Sequence, residues 1–302
     1  MTVVLAFIAN ILVAIAKSIA AVLSGSASML AEAAHSWADA GNEIFLLIAD
    51  RRGSRRRDAA RPLGYGREAY VWSLFAAIGV FAAGSALSIF HGIQELSATE
   101  ESGGYLISYI VLGASAVLEG SSFLQAVIRV RRTARERKRD ALEFVFNTSN
   151  TTLRAVLAED GAALVSLVIA ATGIFLHQIT GQSFWDALGS IAVGTVLGVV
   201  AITLMQRNIR FLVGASAPDA SRRAAGKALL ESPLVDRVTY LHLEVTGPDR
   251  VLLVASVDLT GNDEEQEVAV RLQEMEEHLE ELPFVETAVL SLSTPDEPSL
   301  TF

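Results

Sequence analysis

The chain has 302 residues, and 51% of them are hydrophobic, more than an ordinary soluble domain needs. Its formal net charge is −10, and the absence of cysteine excludes disulfides, thiolate metal ligands and a cysteine nucleophile. The negative charge is C-terminal, because residues 211–302 hold 6 basic and 18 acidic side chains whereas residues 1–210 hold 18 and 16. This pattern predicts a membrane domain over residues 1–210 and a soluble domain over residues 211–302.

Six apolar stretches occur in the first 210 residues, each close to the ~20 residues that one bilayer crossing needs. The first lacks the basic start of a signal peptide and is as long as a full span. The composition therefore predicts an all-α bundle of six transmembrane helices. Their predicted bounds are about residues 3–23, 27–49, 70–90, 105–128, 151–176 and 185–205.

The loops between these stretches predict the orientation in the bilayer. The turn at Gly25, the loop with Glu100 and Glu101, and the loop around His177 hold no Lys or Arg. Lys138 and six arginines lie between residues 129 and 139, and a second basic group follows helix 2. That group consists of Arg51, Arg52, Arg55, Arg56, Arg57, Arg61 and Arg67. Basic loops beside membrane spans are typically cytoplasmic, so both ends of the sequence are predicted to be cytoplasmic. Nucleic-acid binding is the less common interpretation of such runs, and we expect none.

The second stretch carries polar side chains that do not suit a lipid-facing helix. Glu32, His35, Asp39 and either Asn42 or Glu43 fall along one helical stripe, so all can face the bundle interior. His35 and Asp39 are one turn apart and could hold one cation together. Ionisable residues at membrane depth typically mark an ion or proton pathway. The alternative is a buried polar network that only ties helices together.

The last third of the chain has the pattern of a small α+β domain. Two helices and three strands are predicted in the order αββαβ, with a turn at Gly247-Pro248-Asp249 between the first two strands. We expect an antiparallel sheet with both helices on one face. The predicted elements cover residues 219–231, 235–245, 251–259, 264–282 and 285–292.

Four sequence motifs together resemble the cation diffusion facilitator family of divalent-metal transporters. They are AEAAHSWADAGN in helix 2, RPLGYGRE before helix 3, the acidic pair Glu159-Asp160 in helix 5, and LVGASAPD before the αββαβ region. LEGSSFLQA in helix 4 and EDGAAL in helix 5 are more similar to the zinc-transporter-9-like branch. The resemblance implies a homodimer in a lipid bilayer, with six spans and a ferredoxin-like cytoplasmic domain per protomer. It also implies exchange of cytosolic metal for protons, and we expect the bacterial cell (inner) membrane.

The resemblance further implies a metal site built from two pairs of positions, each pair four residues apart, in helices 2 and 5. His35 and Asp39 match the first pair, and Asp160 matches the second position of the other pair. The remaining position is Val156, which cannot ligate, so Glu159 is the candidate for the fourth ligand or for a proton acceptor. Its alternative role is a contact to another helix. One imidazole with carboxylates suits Zn²⁺, Mn²⁺, Fe²⁺ or Co²⁺, and the lack of sulfur disfavours Cu⁺.

Several other residues are predicted to have structural roles. Lys17 and Glu119 are predicted to form an interhelical pair that hides both charges from lipid. Ser190, Gly194 and Gly198 form a small-residue face on helix 6 that predicts close helix packing. Isolated histidines in the C-terminal domain do not indicate a metal site there.

These features favour a secondary transporter and not an enzyme. The chain lacks an HExxH motif and a phosphate-binding loop, so neither a zinc protease of that type nor an ATP-driven pump is indicated. The expected function is proton-coupled export of a divalent cation, most simply Zn²⁺, without a resident cofactor. The alternatives are a non-transporting metal sensor or scaffold and, less favoured, an intramembrane hydrolase.

Overall fold

The computed structural model describes residues 2–55, 57–96, 104–136, 140, 145, 149–282 and 284–302. Its contacts divide the chain into two compact units. The first unit comprises residues 1–50, 71–146 and 151–208, and the second comprises residues 51–70, 147–150 and 209–302. Several residues used to predict the orientation lie outside the described residues, namely Arg56, Glu100, Glu101, Arg137, Lys138 and Arg139.

Six long helices occupy the part of the chain predicted to lie in the membrane. They are α1 (Thr2–Ser24), α2 (Ala27–Gly53), α3 (Gly66–Glu95), α4 (Tyr105–Glu136), α5 (Thr151–Thr180) and α6 (Phe184–Val213). Within the described ranges, five of them contain a stretch that is long and apolar enough to cross a membrane. The sixth, α2, falls short because its acidic residues and terminal arginines lower its hydropathy. The helical membrane-type domain is confirmed, and the crossing by α2 stays a prediction.

The core of the first unit is aliphatic and joins α2, α5 and α6. Met29 of α2, Ile174 of α5, and Val193 and Leu197 of α6 are fully or almost fully buried in one cluster. By contrast, the Trp37 side chain of α2 is exposed. Burial on one side and exposure on the other is what a helix at the periphery of a membrane bundle requires.

A buried carboxylate caps the start of α2. The Asp186 side chain of α6 accepts hydrogen bonds from the backbone N–H of Ala27 at 2.7 Å and of Ser28 at 3.2 Å. It also accepts one from the Ser26 hydroxyl at 3.0 Å. The first N–H groups of a helix have no partner within the helix, and a negative charge there is favourable. Asp186 therefore fixes where α2 begins, and so the depth at which its polar stripe lies.

Small residues allow α6 to pack closely against α3. Residues Val80–Ala86 of α3 adopt π-helical geometry, and Ser85 of this segment faces α6. A Cβ added at Gly194 would lie 2.9 Å from the Ser85 carbonyl oxygen, and one added at Gly198 would lie 2.8 Å from the Ser85 hydroxyl. Ser190 donates a hydrogen bond to the Ser88 carbonyl oxygen at 2.9 Å. The predicted small-residue packing face is confirmed.

The second unit contains a small sheet with two helices. Its elements are α7 (Asp219–Leu230), β1 (Val235–Gly247), β2 (Arg250–Leu259), α8 (Glu265–Glu280) and β3 (Val285–Leu292), which confirms the predicted αββαβ order. The strand order is β1-β2-β3. Leu229 of α7, Leu253 of β2 and Leu279 of α8 share one buried cluster, so the helices and the sheet have a common core.

The expectation of an antiparallel sheet is wrong for one of the two strand pairs. β1 and β2 are antiparallel, with Leu243 opposite Leu253, and the tight turn between them includes Asp249 at φ 57°. β2 and β3 are parallel, with Leu253 opposite Ala288. The reason is the connection: α8 lies between these two strands, and a helical crossover returns the chain to the same end of the sheet.

Residues 51–70 belong to the second unit and are held there by an ion pair, a hydrogen bond and close backbone packing. Arg57 donates to both carboxylate oxygens of Glu280 on α8, at 2.6 and 3.1 Å. The Tyr65 hydroxyl donates to Asp58 at 2.8 Å. These bonds hold the pKa values of Glu280 and Asp58 below their ordinary values, since both stabilise the carboxylate form. Gly66 packs so closely on Gly247 that an added Cβ would lie 2.7 Å from its Cα.

Candidate metal and proton site

The polar stripe of α2 faces the interior of the first unit. Glu32, His35 and Asn42 are all buried, and they project between α2 and its neighbouring helices. The capping of α2 by Asp186 and the apolar cluster around Met29 set the rotation of this helix. These three residues are therefore buried as the spacing of the stripe predicts, whereas the Asp39 side chain is 26% exposed.

His35 and Asp39 form the first predicted ligand pair. The His35 Nε2 atom lies 3.3 Å from Asp39 Oδ2, one helical turn away. Neither ring nitrogen of His35 makes a hydrogen bond with any described residue, and the buried Asp39 Oδ1 atom also has no such partner. Buried polar atoms in native proteins nearly always have partners, so unmatched acceptors at this position fit a bound cation.

The acidic pair of α5 is held by two other helices. Ser122 of α4 donates a hydrogen bond to Asp160 Oδ2 at 2.8 Å. Asn42 of α2 donates a short hydrogen bond to Glu159 Oε2. Adjacent residues on a helix point about 100° apart, and the two carboxylates accordingly bind different partners.

The four predicted ligands share one electrostatic environment but do not form a closed coordination shell. Asp160 is near enough to His35 and Asp39 for their charges to interact, and Asp39 interacts likewise with Glu159. Over the described residues, however, no three His, Asp or Glu side chains are grouped as ligands of one ion. The structure thus joins His35 to Asp39, whereas the hydrogen bonds from Ser122 and Asn42 engage the α5 carboxylates.

A buried charge triad lies next to this pair. The Lys17 ammonium of α1 lies 2.8 Å from Glu32 Oε2 on α2 and 2.8 Å from Glu119 Oε1 on α4. The predicted Lys17–Glu119 contact is confirmed. The second partner, Glu32, was not predicted, although its place on the buried stripe marks it as a side chain that needs a counter-charge.

The hydrogen-bond partners of the α5 carboxylates were not predicted either, although Asn42 was already placed on the polar stripe. Asn42 follows Asp39 by three residues on α2, and Ser122 follows Glu119 by three on α4. That spacing puts each on the same helical face as an ionisable residue. The spacing is therefore the sequence signal that marks both residues as neighbours of the site. Which carboxylate each of them binds depends on how three helices pack, and sequence spacing does not contain that information.

The amino-acid sequence is similar to that of known proteins from one family. Residues 3–213 match the model of the cation efflux transmembrane domain. The metal tolerance protein C4 of Arabidopsis thaliana is 35% identical over 231 residues, which is 76% of this chain and 50% of that protein. The human mitochondrial protein named proton-coupled zinc antiporter SLC30A9 is 32% identical over 253 residues, 82% of this chain and 44% of that protein.

The matched lengths differ between relatives. The chain spans about half the length, or less, of the plant and human proteins. An uncharacterized transporter of Methanocaldococcus jannaschii is matched over 97% of both chains, at 23% identity over 297 residues. The similarity therefore extends beyond the helical unit into the αββαβ unit.

Proposed function

The chain belongs to the cation efflux family, and from this premise we propose that it is a proton-coupled antiporter that exports a divalent metal cation from the cytosol. Zn²⁺ is the first candidate, with Mn²⁺, Fe²⁺ and Co²⁺ as further ones. The observation that carries the proposal is the His35–Asp39 pair inside a helical membrane-type domain, in which the His35 ring and the Asp39 Oδ1 atom are buried without a hydrogen bond to any described residue. The human relative is named as a proton-coupled zinc antiporter, which agrees with this assignment.

The proposed ligand set is His35, Asp39 and Asp160, with Glu159 as a fourth ligand or proton acceptor. Asp160 belongs to the set because it stands at the second of the two α5 positions, four residues apart, that the family resemblance implies. Closing the shell requires Asp160 to turn from Ser122 towards the ion, and Glu159 to leave Asn42 if it ligates. Each is a single hydrogen bond to a carboxylate, worth about 1.5–3 kcal/mol net, which a divalent ion in a dry site can replace.

Exchange of metal for protons follows from the chemistry of this donor set. A ring nitrogen of His35 binds metal only when it carries no proton, and a carboxylate binds metal only when ionised. The metal and protons therefore compete for the same lone pairs. Loading from the cytosol with proton release, and proton uptake on the other side of the membrane, would couple the two gradients.

We propose that α2 is the sixth membrane crossing, and the interior position of its charges supports this. Both ends of the printed sequence would lie on the cytoplasmic side, with the αββαβ unit as a ferredoxin-like domain. A homodimer in a cell membrane completes the proposal.

Ion movement across sealed vesicles tests the function. Purified protein is reconstituted with a pH-sensitive dye inside, and Zn²⁺ is added outside. We expect zinc uptake together with a change of internal pH. An imposed pH gradient should likewise drive zinc across the vesicle membrane. Zinc binding without movement of either ion would contradict the proposal and favour a sensor or scaffold.

A further inference from the structure

One exposed face of α4 changes from apolar to basic along its length. Val117, Leu124 and Ile128 are exposed apolar side chains on this face. Arg131 and Arg135 follow them and are exposed as well. The successive spacings are seven, four, three and four residues, so all five side chains lie on one face of the helix. This stripe of α4 therefore presents apolar surface first and then two guanidinium groups.

The apolar part of the stripe is open to lipid. Only 11% of the apolar segment of α4 is buried in the described structure, whereas the other four long apolar helices have between 28% and 44% of theirs buried. From Val117 to Ile128 the helix rises about 16 Å at 1.5 Å per residue. This is about half of the ~30 Å hydrocarbon core of a bilayer. The apolar part thus matches the acyl region of one leaflet, and the arginines follow at the level of its headgroups.

The arginines form a groove at the end of the apolar stripe. The groove has a volume of about 350 Å³ and is lined by Ile128, Arg131, Arg132 and Arg135. Arg131 and Arg135 make no ion pair or hydrogen bond with any described residue. A guanidinium presents its N–H donors in a planar fork that matches phosphate oxygens, and these two lie one turn apart. The groove therefore offers two phosphate-binding groups directly beside an apolar surface.

We propose that this groove binds the phosphate of an anionic phospholipid, whose acyl chains lie along Val117, Leu124 and Ile128. A free phosphate ion has the same chemistry but would leave the apolar stripe unused, and the continuity of the stripe with the groove favours the lipid. The inference goes beyond metal transport and requires only that α4 crosses the bilayer.

A second copy of the chain fits this face less well. Two protomers inserted in the same orientation meet at equal depth, so a twofold interface here would bring Arg131 and Arg135 towards their own copies. Juxtaposed like charges are unfavourable. An anionic headgroup supplies the opposite charge at the same depth, which favours the lipid as the occupant.

The face on which an arginine lies distinguishes a lipid site from an orientation signal. Basic residues beside a span bias its orientation through the charge that they add to the loop. A lipid site depends instead on the residues that line it. Arg129 is exposed on another face of the same helix end and does not line the groove. It therefore provides the matched control.

Lipid retention by the delipidated full chain tests the proposal. Purified protein in detergent is mixed with phosphatidylglycerol, which is anionic, or with phosphatidylcholine of the same acyl chains, which is zwitterionic. Native mass spectrometry then measures the lipid bound per protomer. The wild type should bind phosphatidylglycerol in preference. Arg131→Gln and Arg135→Gln should each lower the affinity for phosphatidylglycerol about fivefold, as expected for one basic residue at an anionic lipid.

The control and a competitor decide between the possible occupants. Arg129→Gln removes the same charge and should keep the wild-type affinity, whereas an equal loss in all three variants would show a general charge effect and overturn the site. Inorganic phosphate in large excess should not displace the lipid. Displacement would assign the groove to free phosphate. A lower dimer fraction in Arg131→Gln and Arg135→Gln with unchanged lipid binding would assign the face to a second copy.

The wild type alone covers the case in which the variants do not fold. Higher salt should weaken its retention of phosphatidylglycerol, because exposed charges are screened, and should leave retention of phosphatidylcholine unchanged. Equal retention of the two lipids at low salt would overturn the proposal. Because lipid binding is measured without metal, this result is independent of the proposed transport.

Discussion

Asn42 of α2 donates a hydrogen bond to Glu159 of α5, and this contact joins the helix that holds His35 and Asp39 to the helix that holds Asp160. Both residues are buried. The contact leaves the Asn42 carbonyl oxygen without a hydrogen-bond partner among the described residues, so the amide presents one more acceptor to the interior. The position of Glu159 is therefore set by an amide on α2 in this conformation.

The two acidic residues of α5 should respond differently to neutralisation. Asp160→Asn should eliminate zinc binding, because it removes a proposed ligand. Glu159→Gln should retain binding with lower affinity, because the amide can still bond to Asn42. Equilibrium zinc titration of both variants measures this, and loss of binding in the Gln variant alone would reverse the two assignments.

Asp39→Asn should abolish transport and leave the protein folded. The amide keeps the shape of the side chain but loses the charge that attracts the cation. Changes to groups that merely orient ligands cost about 10–100-fold in metal affinity, and loss of a ligand should cost at least that. Asp50→Asn makes the same chemical change at an exposed position of the same helix and should transport normally. Wild-type uptake in Asp39→Asn would remove Asp39 from the ligand set.

Lys17→Met should destabilise the first unit. The substitution leaves Glu32 and Glu119 buried without their counter-ion, and breaking a buried ion pair by removing one partner costs about 3–5 kcal/mol. Thermal unfolding of the solubilised protein should show a clearly lower midpoint. Lys227→Met on α7 serves as the control, because Lys227 is exposed, and should change the midpoint little. Equal midpoints for the two variants would show that the triad contributes no stability.

Gly194→Ala should weaken the packing of α6 on α3. The added methyl would lie 2.7 Å from the Ile89 side chain and 2.9 Å from the Ser85 carbonyl oxygen, so the helices must separate. Overpacking of this kind costs about 1–3 kcal/mol. Gly113→Ala on α4 meets no atom within 4 Å and should be neutral or stabilising. The midpoint of thermal unfolding should therefore be clearly lower for Gly194→Ala than for Gly113→Ala.

Acidification should release residues 51–70 within the second unit. Arg57 lowers the pKa of Glu280 in the folded state, so the stabilisation is present above the ordinary carboxyl pKa and is lost as the pH falls through the lowered value. Hydrogen exchange of the full chain should show faster exchange in this segment at acidic pH, after correction for the intrinsic rate. Glu280→Gln should show the fast exchange already at pH 7.

Glu274→Gln on the same helix is the matched control for this experiment. Glu274 is exposed and should leave the protection of residues 51–70 unchanged. If Glu280→Gln protected the segment as well as the wild type does, the Arg57 ion pair would not be what holds it.

The sequence by itself determined the class of protein and the stripe of α2. Apolar stretches of bilayer length, the αββαβ pattern and the polar positions one turn apart are periodic signals, and periodicity depends only on residues near one another in the chain. His35 and Asp39 could be paired on that basis because a single helix fixes their spacing. The small-residue face of α6 could be predicted from the sequence for the same reason.

The tertiary structure alone decided which helices supply the partners of these residues. Lys17 reaches Glu32 as well as Glu119, Ser122 binds Asp160, Asn42 binds Glu159, and Asp186 caps α2 from 159 residues away. It also decided that β2 and β3 are parallel. Each of these contacts depends on the relative rotation and depth of elements distant in sequence. Rotation and depth are set by side-chain packing between helices, and no spacing within one helix encodes them.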